Sequence, residues 1–313
     1  MLITVIICTY NRSESLKDTL NSLIVQEGII GFDFEIVVVD NNSNDRTMDI
    51  VKTYMTKSYN LVRYIFEPEQ GLSHARNAGI KAAKGDILAF TDDDVIVRND
   101  YIMSIGMVHK EYDSDCVFGK ILPLWSHAKI PIWLKRDKRL WKCLGYLDYG
   151  EQHILVTNNK HQFYGANFSI KLHAINKIGY FDINLGIKGN VHYLGEESDY
   201  FAKLLSTHSK IVYSPKMVVY HKVKDSDMTK SYFLKWHYEG GQSFPYKTMS
   251  RNNTIFNVPL WFFKEALLNG IRLMYYVLCL DSINMFWYEL KAVFYYSALI
   301  VFIKGKYLCK KLA

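Results

Sequence analysis

The chain has 313 residues, of which 49% are hydrophobic and 22% charged, and this composition excludes a disordered or collagen-like protein. Its length allows one α/β domain of about 220 residues with an appendage. The formal net charge of +7 predicts anionic partners, and it is uneven, because lysine and arginine concentrate in residues 129–142 and in the last ten residues.

Neither cysteines nor a leader segment indicates export. The cysteines, which lack the paired spacing of a zinc site or a disulfide framework, are Cys8, Cys116, Cys143, Cys279 and Cys309. A reducing cytosol is therefore expected. The opening MLITVIICTYNR has no basic region ahead of its apolar run, so we interpret it as a buried strand rather than a signal peptide.

The first hundred residues alternate between strands and helices. The predicted strands lie at residues 2–8, 35–39, 61–65 and 86–91, and the predicted helices at residues 13–25 and 72–83. The first two strands are β-branched runs typical of a parallel sheet that is buried on both faces. Ser13 is the expected N-cap of the first helix. The alternation predicts a doubly wound α/β sheet.

Polar residues follow three of these strands, in the segments TYNR, DNNSND and TDDD. In open α/β sheets, ligands bind in the crevice beyond the carboxyl ends of the strands. Acidic residues at two strand ends about fifty residues apart, Asp40 and Asp92, would frame a crevice that fits a nucleotide. The sequence has no GxGxxG motif and no Walker lysine in this region.

The alternation weakens after residue 100, and residues up to about 160 are expected to form an acceptor-side insertion without predicted secondary structure. Short strands and a helix at residues 199–205 follow, and a strand at residues 211–221 closes the domain. We therefore predict a catalytic domain at residues 1–250, with a nucleotide-binding half (1–100) and an acceptor half (101–250).

Residues 251–313 are predicted to form a helical, membrane-associating segment. Its runs are aromatic-rich and flanked by cations, but Arg272, Glu289 and Lys291 interrupt them, so no spanning helix is expected. An interfacial helical pair on an anionic membrane surface is favoured, and nucleic acid is not expected as a partner. The alternatives are a solvated basic face, or a hairpin packed on the catalytic domain or on a second subunit of a homo-oligomer.

The run Asp92-Asp93-Asp94 crowds three like charges at one strand end. Such crowding is costly unless a cation neutralises it. Carboxylate oxygens bind Mg²⁺ or Mn²⁺ while substrate phosphates complete the coordination shell, so the run predicts diphosphate chemistry. Taken alone, it could also be a solvated turn or a helix cap.

Several motifs together resemble a known family. The segments TVIICTYNR, VVVDNNSND, GLSHARNAGIKAAKGDILAFTDDD, YGANFSI, GYFD and GEESDY occur in the order seen in family-2 glycosyltransferases. The resemblance covers residues 2–245. It implies a GT-A fold, which is a Rossmann-like mixed, mostly parallel sheet flanked by helices, here with a C-terminal helical appendage. It also implies a nucleotide diphosphate sugar donor, a divalent cofactor (Mn²⁺ or Mg²⁺) and inversion of the anomeric centre.

The resemblance assigns binding residues position by position. The expected donor-binding residues are Thr9, Tyr10, Asn11, Arg12, Asp40, Asn42, Arg76, Asp92, Asp93, Gly165 and Asn167. Asp40 would contact the base edge, and Arg76 the base or pyrophosphate. Asp92-Asp93-Asp94 resembles the DXD motif, with Asp94 as direct metal ligand, Asp92 toward ribose and metal, and Asp93 supportive. His221 would reach the metal or diphosphate, unless it is a structural histidine.

Two further motifs concern the donor sugar and the acceptor. Gly165, Ala166 and Asn167 resemble the GAN turn beneath the donor sugar, although an ordinary tight turn is the alternative. Inversion requires a carboxylate that removes the acceptor proton, and Glu197 of GEESDY aligns with that base. The family more often has aspartate there, so the role could pass to Glu196. Asp199 is expected to cap its helix.

These assignments predict an inverting glycosyltransferase of cell-surface polysaccharide or glycan biosynthesis. Uridine is the expected base of the donor, and the saccharide acceptor is expected to be lipid-linked. The expected location is the cytoplasm, peripheral on the cytoplasmic face of the inner membrane. A nucleotidyltransferase is disfavoured because the first strand ends in CTYNR without a glycine-rich loop, and a non-catalytic sugar-nucleotide binding module because both acidic motifs are present.

Overall fold

A mixed sheet organises the first part of the chain in the computed structural model, which describes residues 1–58, 61–125, 129–188, 191–193, 195–248, 254–255 and 258–308. Its strands within these ranges are β1 (Leu2–Thr9), β2 (Asp33–Asp40), β3 (Val62–Phe66), β4 (Ile87–Asp92), β5 (Val95–Val97), β6 (Cys116–Trp125), β7 (Ile154–Val156), β8 (Phe168–Lys171) and β11 (Ile211–Val223). Two further strands, β9 (Gly186–Lys188) and β10 (Val191–Tyr193), form a separate hairpin. The order is β3-β2-β1-β4-β8-β6-β11-β5, with β7 paired to β11.

The four strands from β3 to β4 are parallel, and their central pair is buried on both faces, as predicted. Residues 3–7 of β1 and 36–39 of β2 are almost fully buried. The pairings at β8 and at β5 are antiparallel, which makes the sheet mixed. At the carboxyl edge, Thr9 pairs in register with Asp40, and Cys8 with Asp92. Three polar strand ends therefore meet at one place.

Helices cover the sheet and form the C-terminal region. In the described residues they are α1 (Ser13–Ile24), α2 (Thr47–Lys57), α3 (Leu72–Ala82), α4 (Tyr101–Tyr112), α5 (Ile132–Arg136), α6 (Leu172–Ile178), α7 (Glu196–Ser206), α8 (Lys230–Thr248), α9 (Leu260–Leu278) and α10 (Ser282–Leu308), with 3-10 turns at Lys138–Leu144 and Asp225–Met228. The strand–helix alternation predicted for the first hundred residues is confirmed. A two-residue pair, β12 (Thr254–Ile255) and β13 (Val258–Pro259), precedes α9.

Two predicted helix caps are wrong. Arg12 is the N-cap of α1, and the Ser13 backbone N–H donates to Asp45 Oδ2 at 2.9 Å, so a neighbouring loop satisfies this helix end. Helix α7 begins at Glu196, and its N-cap is Gly195 rather than Asp199. Gly195 has a φ of 140°, a conformation that glycine adopts readily. Asp199 lies inside the first turn and pairs with Lys203 at 2.8 Å.

Strand β6 lies in the region for which the sequence predicted no secondary structure. Gly119, Lys120 and Pro123 interrupt the run of apolar residues that would have predicted a strand, yet residues 116–121 are buried. Gly119 is required there, since a Cβ atom would lie 1.9 Å from the Met217 carbonyl oxygen of β11. Buried Lys120 is balanced by Asp148 at 3.3 Å and by a short contact with Glu151. Lys120 can therefore occupy a buried strand because the carboxylates of Asp148 and Glu151 balance its charge.

The chain divides into two compact units, Met1–Trp125 with Gly145–Lys222, and Ser126–Leu144 with Val223–Ala313. This division falls at Val223 instead of residue 250, and the basic residues 129–142 belong to the second unit. The functional division at residue 250 stays a prediction. The lysine-rich end and Cys309 lie largely outside the described residues.

One helix of the second unit has the length and composition of a membrane span, whereas the sequence favoured an interfacial helical pair. Within α10, Ser282–Lys304 has 23 residues and a mean hydropathy of 1.3, which is long and apolar enough to cross a bilayer by length and composition. Glu289 and Lys291 do not reduce the hydropathy enough to exclude it. Only 28% of this segment is buried within the protein.

Candidate active site

The site is built at the carboxyl edge of β1, β2 and β4. The turn after β4 carries Asp93 and Asp94, which are both buried. Thr9 Oγ1 donates to Asp93 Oδ2 at 2.7 Å, and Arg12 Nη1 donates to Asp93 Oδ1 at 3.1 Å. Asp93 therefore joins the ends of β1 and β4, consistent with the supportive role expected for the middle residue of the motif.

Asp94 is held by a cation and an imidazole. Arg12 Nη1 lies 2.6 Å from its Oδ2, and His221 Nε2 lies 3.3 Å from its Oδ1. Strand β11 places His221, because Tyr220 and His221 pair antiparallel with Ile96 and Val95 immediately after the acidic turn. Burial lowers the pKa of His221, but Asp94 and Asp92 outweigh it and leave the pKa raised. His221 therefore lies beside Asp94, the residue that the sequence predicted as the direct metal ligand.

Asp92 connects two groups of charges. Burial and the neighbouring Asp94 raise the pKa of Asp92, whereas Arg76, His221 and Arg12 act in the opposite direction. Asp93, also buried, has a pKa raised to about 7. A carboxylate cluster with pKa values held above their usual range is one that additional positive charge would stabilise.

A second cluster surrounds the buried guanidinium of Arg76 on α3. Arg76 Nη1 lies 3.2 Å from Glu196 Oε1, and its Nη2 lies 3.1 Å from Glu197 Oε1. The guanidinium also stacks on Phe181 of the GYFD segment, at 5.3 Å from the ring centroid. The HARN, GYFD and GEESDY motifs, up to 121 residues apart, therefore converge on one cation.

Gly165 makes this convergence possible. A Cβ atom at residue 165 would lie 2.0 Å from Arg76 Nη2 and 2.3 Å from Glu197 Oε1. The backbone of Gly165 also hydrogen-bonds to Glu197. Because Gly165 has no side chain, the Arg76 and Glu197 side chains can both lie against its backbone. The sequence analysis, which assigned this turn to the donor sugar, did not predict these two contacts.

Glu196 and Glu197 differ in accessibility. The Glu196 side chain is 5% exposed, and its Oε2 accepts the Gly195 N–H at 3.1 Å, so both of its oxygens are engaged. The Glu197 side chain is 26% exposed. Its burial raises its pKa to about 7, although Arg76 lowers it. A carboxylate with these properties is suited to accept a proton near neutral pH.

The β2 end presents Asp40, which is 2% exposed. Its Oδ1 accepts the Ser43 N–H at 2.9 Å and its Oδ2 accepts the Tyr64 hydroxyl at 2.8 Å. Asn11 and Asn42 both adopt positive φ, 52° and 67°, which asparagine tolerates better than most residues. Asn11 joins the two loops, since its Oδ1 accepts the Asn44 N–H at 2.7 Å. Tyr10 is 38% exposed.

Sequence reasoning missed Asn41 as an organising residue. Its Nδ2 donates to the carbonyls of Glu67 (3.3 Å) and Glu69 (2.7 Å), and its Oδ1 accepts the N–H of Gly71, the N-cap of α3. One buried amide thereby fixes the loop that leads to Arg76. The only available signal was its place directly after Asp40.

The remaining site residue, Asn167, directly precedes β8 and is buried. Its Nδ2 donates to the carbonyls of Lys120 (2.8 Å) and Met217 (3.0 Å), which links β6 to β11. Among the described residues, no set of three His, Cys, Asp or Glu side chains stands ready to hold a metal ion. The donor and metal assignments remain predictions.

Comparison with known proteins adds family information. The sequence model described as "Glycosyl transferase family 2" matches residues 4–179. The glucosyl-dolichyl phosphate glucuronosyltransferase of Haloferax volcanii is 26% identical over 231 residues, covering 71% of this chain and 70% of that protein. The succinoglycan biosynthesis protein ExoM of Rhizobium meliloti is 24% identical over 250 residues, covering 76% and 72%.

A solved structure shares the fold. The mannosyltransferase PcManGT from Pyrobaculum calidifontis, in complex with GDP-Man and Mn²⁺, matches with a TM-score of 0.63 at 17% identity, covering 97% of this chain and 87% of that one. Similarity at this level of identity shows the fold alone. The GT-A fold expected from the sequence is therefore confirmed.

Proposed function

This chain belongs to the family 2 glycosyltransferases, and we propose that it transfers a sugar from a nucleotide diphosphate sugar onto an acceptor hydroxyl with inversion. The observation that carries the proposal is the pair of charge clusters at one sheet edge, with Asp92 electrostatically coupled to both. One cluster, around Asp94, would hold a cation that balances the charge of the donor's diphosphate. The other, around Glu197, suits the acceptor.

The residues fit a divalent ion in their chemistry. Carboxylates and imidazole are ligands that Mn²⁺ accepts, and carboxylates with water and phosphates suit Mg²⁺. Asp94 Oδ1 and His221 Nε2 lie 3.3 Å apart, close to the ~3 Å between adjacent ligands of one ion with bonds of about 2.1 Å. Asp94, Asp92 and His221 would hold the ion once Arg12 turns from Asp94 toward the donor. When bound, the metal neutralises charge on the departing diphosphate.

Glu197 is the proposed general base. As the acceptor oxygen attacks the anomeric carbon, Glu197 takes its proton, and the bond from that carbon to the diphosphate oxygen breaks on the opposite face of the sugar. The configuration is thereby inverted. Arg76 keeps the Glu197 carboxylate oriented at 3.1 Å, while the closed environment of Glu196 suits a positioning role.

The base and ribose are proposed to bind along the ends of β1 and β2. Asp40 would accept a hydrogen bond from the base edge, and two neighbours, Ser43 and Tyr64, already fix its orientation. Uridine is the proposed base. Tyr10, Asn11, Arg12 and Asn42 border this edge of the sheet and would contact ribose or phosphate.

We propose that the saccharide acceptor is lipid-linked. The enzyme would then act at the cytoplasmic face of a membrane, in the synthesis of a polysaccharide or another glycan. The relative named for a glucosyl-dolichyl phosphate supports a lipid-linked acceptor, and the relative named for succinoglycan biosynthesis supports a role in polysaccharide synthesis. The apolar helix α10 supports the location.

The test is incubation of the purified protein with Mn²⁺ and a panel of nucleotide sugars, read by thermal shift and by donor hydrolysis. We expect one donor to stabilise the protein in a Mn²⁺-dependent way. Asp94→Ala should abolish this stabilisation, whereas Asp33→Ala, at an exposed carboxylate of β2, should not. Glu197→Gln should keep donor binding and lose transfer. Pyrophosphate release from a sugar phosphate and a nucleoside triphosphate would instead identify a nucleotidyltransferase, and binding without turnover a binding module.

A further inference from the structure

Helix α9 carries a continuous apolar surface that the protein itself leaves exposed. Its members recur every three or four residues and so share one helical face. This α9 stripe consists of Leu260 (49% exposed), Phe263 (38%), Leu267 (66%), Ile271 (49%), Met274 (62%) and Leu278 (83%). At about 200 Å² for a fully exposed side chain of this size, these exposed fractions correspond to roughly 700 Å² of apolar surface. That is above the about 300–600 Å² of the largest patch on an ordinary monomer.

One border of the stripe has a specific chemistry. At about 100° of rotation per residue, Lys264, Tyr275, Trp261 and Arg272 all fall on the same side of the stripe. Each of the four is exposed. Lysine, arginine, tryptophan and tyrosine beside an apolar face are the residues that helices place at the boundary between lipid tails and headgroups.

The charge pattern favours lipid over a second copy of the chain. Within α9, whose residues are all described, Glu265 is the single acidic residue, and it lies on the face opposite the stripe. No acidic side chain of α9 borders the stripe, so the α9 helix of a second copy would offer the cationic border no counter-charge. An anionic lipid surface supplies the missing counter-charge.

Further apolar side chains of this unit are exposed. Leu280, in the turn after α9, is 90% exposed, and on α10 Tyr296 (63%) and Ile303 (58%) are exposed as well. The α9 stripe is therefore accompanied by exposed apolar residues on the helix that follows it.

We infer that the α9 stripe inserts into the interfacial layer of an anionic membrane, with α9 parallel to the membrane plane. The inference rests on the membrane location in the proposed function, and it is independent of the chemistry at Asp94 and Glu197. The inference assigns the membrane contact to one face of α9 and identifies anionic lipid as the partner.

The test is flotation of the full-length protein with phosphatidylcholine vesicles, with and without 30 mol% phosphatidylglycerol. We expect binding to the anionic vesicles, and at least a tenfold lower partition coefficient for the double variant Leu267→Glu/Ile271→Glu. Ile30→Glu is the matched control, since Ile30 is an 85% exposed apolar residue of the other unit. It should float like the wild type. Lys264→Glu/Arg272→Glu should lose the preference for anionic lipid.

Nucleotide-dependent thermal shift, measured on every variant, separates this inference from the proposed function. Unchanged shifts with lost flotation would support it. Equal flotation of wild type and the Leu267/Ile271 variant would overturn it, as would absence of vesicle binding by the wild type. Sedimentation showing a dimer that these two substitutions dissociate, with no vesicle binding, would assign the stripe to a second copy. Retention of the double variant in carbonate-washed vesicles would show that α10 spans the bilayer and overturn the in-plane arrangement.

Discussion

Replacing Gly165 with alanine tests the geometry of the site more directly than removing a charge. The new methyl group would stand 2.0 Å from Arg76 Nη2 and 2.3 Å from Glu197 Oε1. Each atom would have to retreat by more than about 1 Å to reach an ordinary contact distance. Arg76 cannot retreat freely, because it is buried against Phe181 and also bound to Glu196. The Glu197 carboxylate should therefore move.

A displacement of about 1 Å in a catalytic group can cost on the order of 100-fold in rate, so kcat for sugar transfer should fall about 100-fold. Overpacking of this kind costs about 1–3 kcal/mol, and the variant should remain folded with a lower Tm. Nucleotide binding at the β1–β2 edge should change little.

Steady-state transfer assays, with Tm and nucleotide Kd measured in parallel, give the answer. Gly270→Ala is the control, because apart from the adjacent residues and backbone of its own helix no heavy atom lies within 4 Å of a Cβ at that position. It should leave kcat unchanged. A Gly165→Ala enzyme with kcat within twofold of the wild type would refute the assigned contact between Gly165, Arg76 and Glu197 as a determinant of activity.

Three more predictions follow from the same contacts. If Glu197 is the base, its pKa of about 7 predicts that kcat/KM falls about tenfold between pH 8 and pH 6, in a pH–rate profile of the wild type. Burial lowers the pKa of His109 to about 4 from 6.5, so its contribution to stability is complete above pH 6.5 and is lost as the pH falls toward 4. The free energy of unfolding in urea should therefore drop by about 2 kcal/mol more between pH 7.5 and pH 5 in the wild type than in His109→Gln. Tyr64→Phe removes one hydrogen bond to Asp40, worth about 1 kcal/mol, and should raise the nucleotide Kd about fivefold by calorimetry while kcat changes less than twofold.

Each of these has a result that would contradict it. A kcat/KM that stays constant down to pH 5 would exclude Glu197 as a base with a raised pKa. Equal pH dependence of stability in wild type and His109→Gln would mean that the buried imidazole does not stay neutral. An unchanged nucleotide Kd in Tyr64→Phe would show that the hydrogen bond from Tyr64 to Asp40 does not contribute to nucleotide binding.

Local patterns were sufficient to predict the first four strands and the polar edge they share. The first two strands are continuous β-branched runs, the other two are short apolar segments, and parallel pairing places the carboxyl ends of all four at one edge of the sheet. Long-range partners could not be predicted. Ser13 has the right chemistry for a cap, but its position depends on Asp45, 32 residues away. Strand β6 was missed because Lys120 makes sense only beside Asp148.

The site was predicted as separate motifs, and the sequence could not show how they join. Nothing in the spacing indicates that Asp94 meets His221, which β11 brings from 127 positions later. The same holds for Gly165, where a Cβ atom would collide with the side chains of Arg76 and Glu197. Family resemblance supplied the residues, while the contacts between them required the folded chain.

Asn41 bears on any attempt to re-engineer the donor preference of this enzyme. Its amide joins three backbone positions of the loop before α3, so a library that randomises the whole DNNSND segment would discard most members through misplaced loops rather than altered recognition. Variation is better directed at Tyr10, whose side chain is open to solvent. A residue next to the proposed base-contacting Asp40 thus determines the shape of the loop before α3.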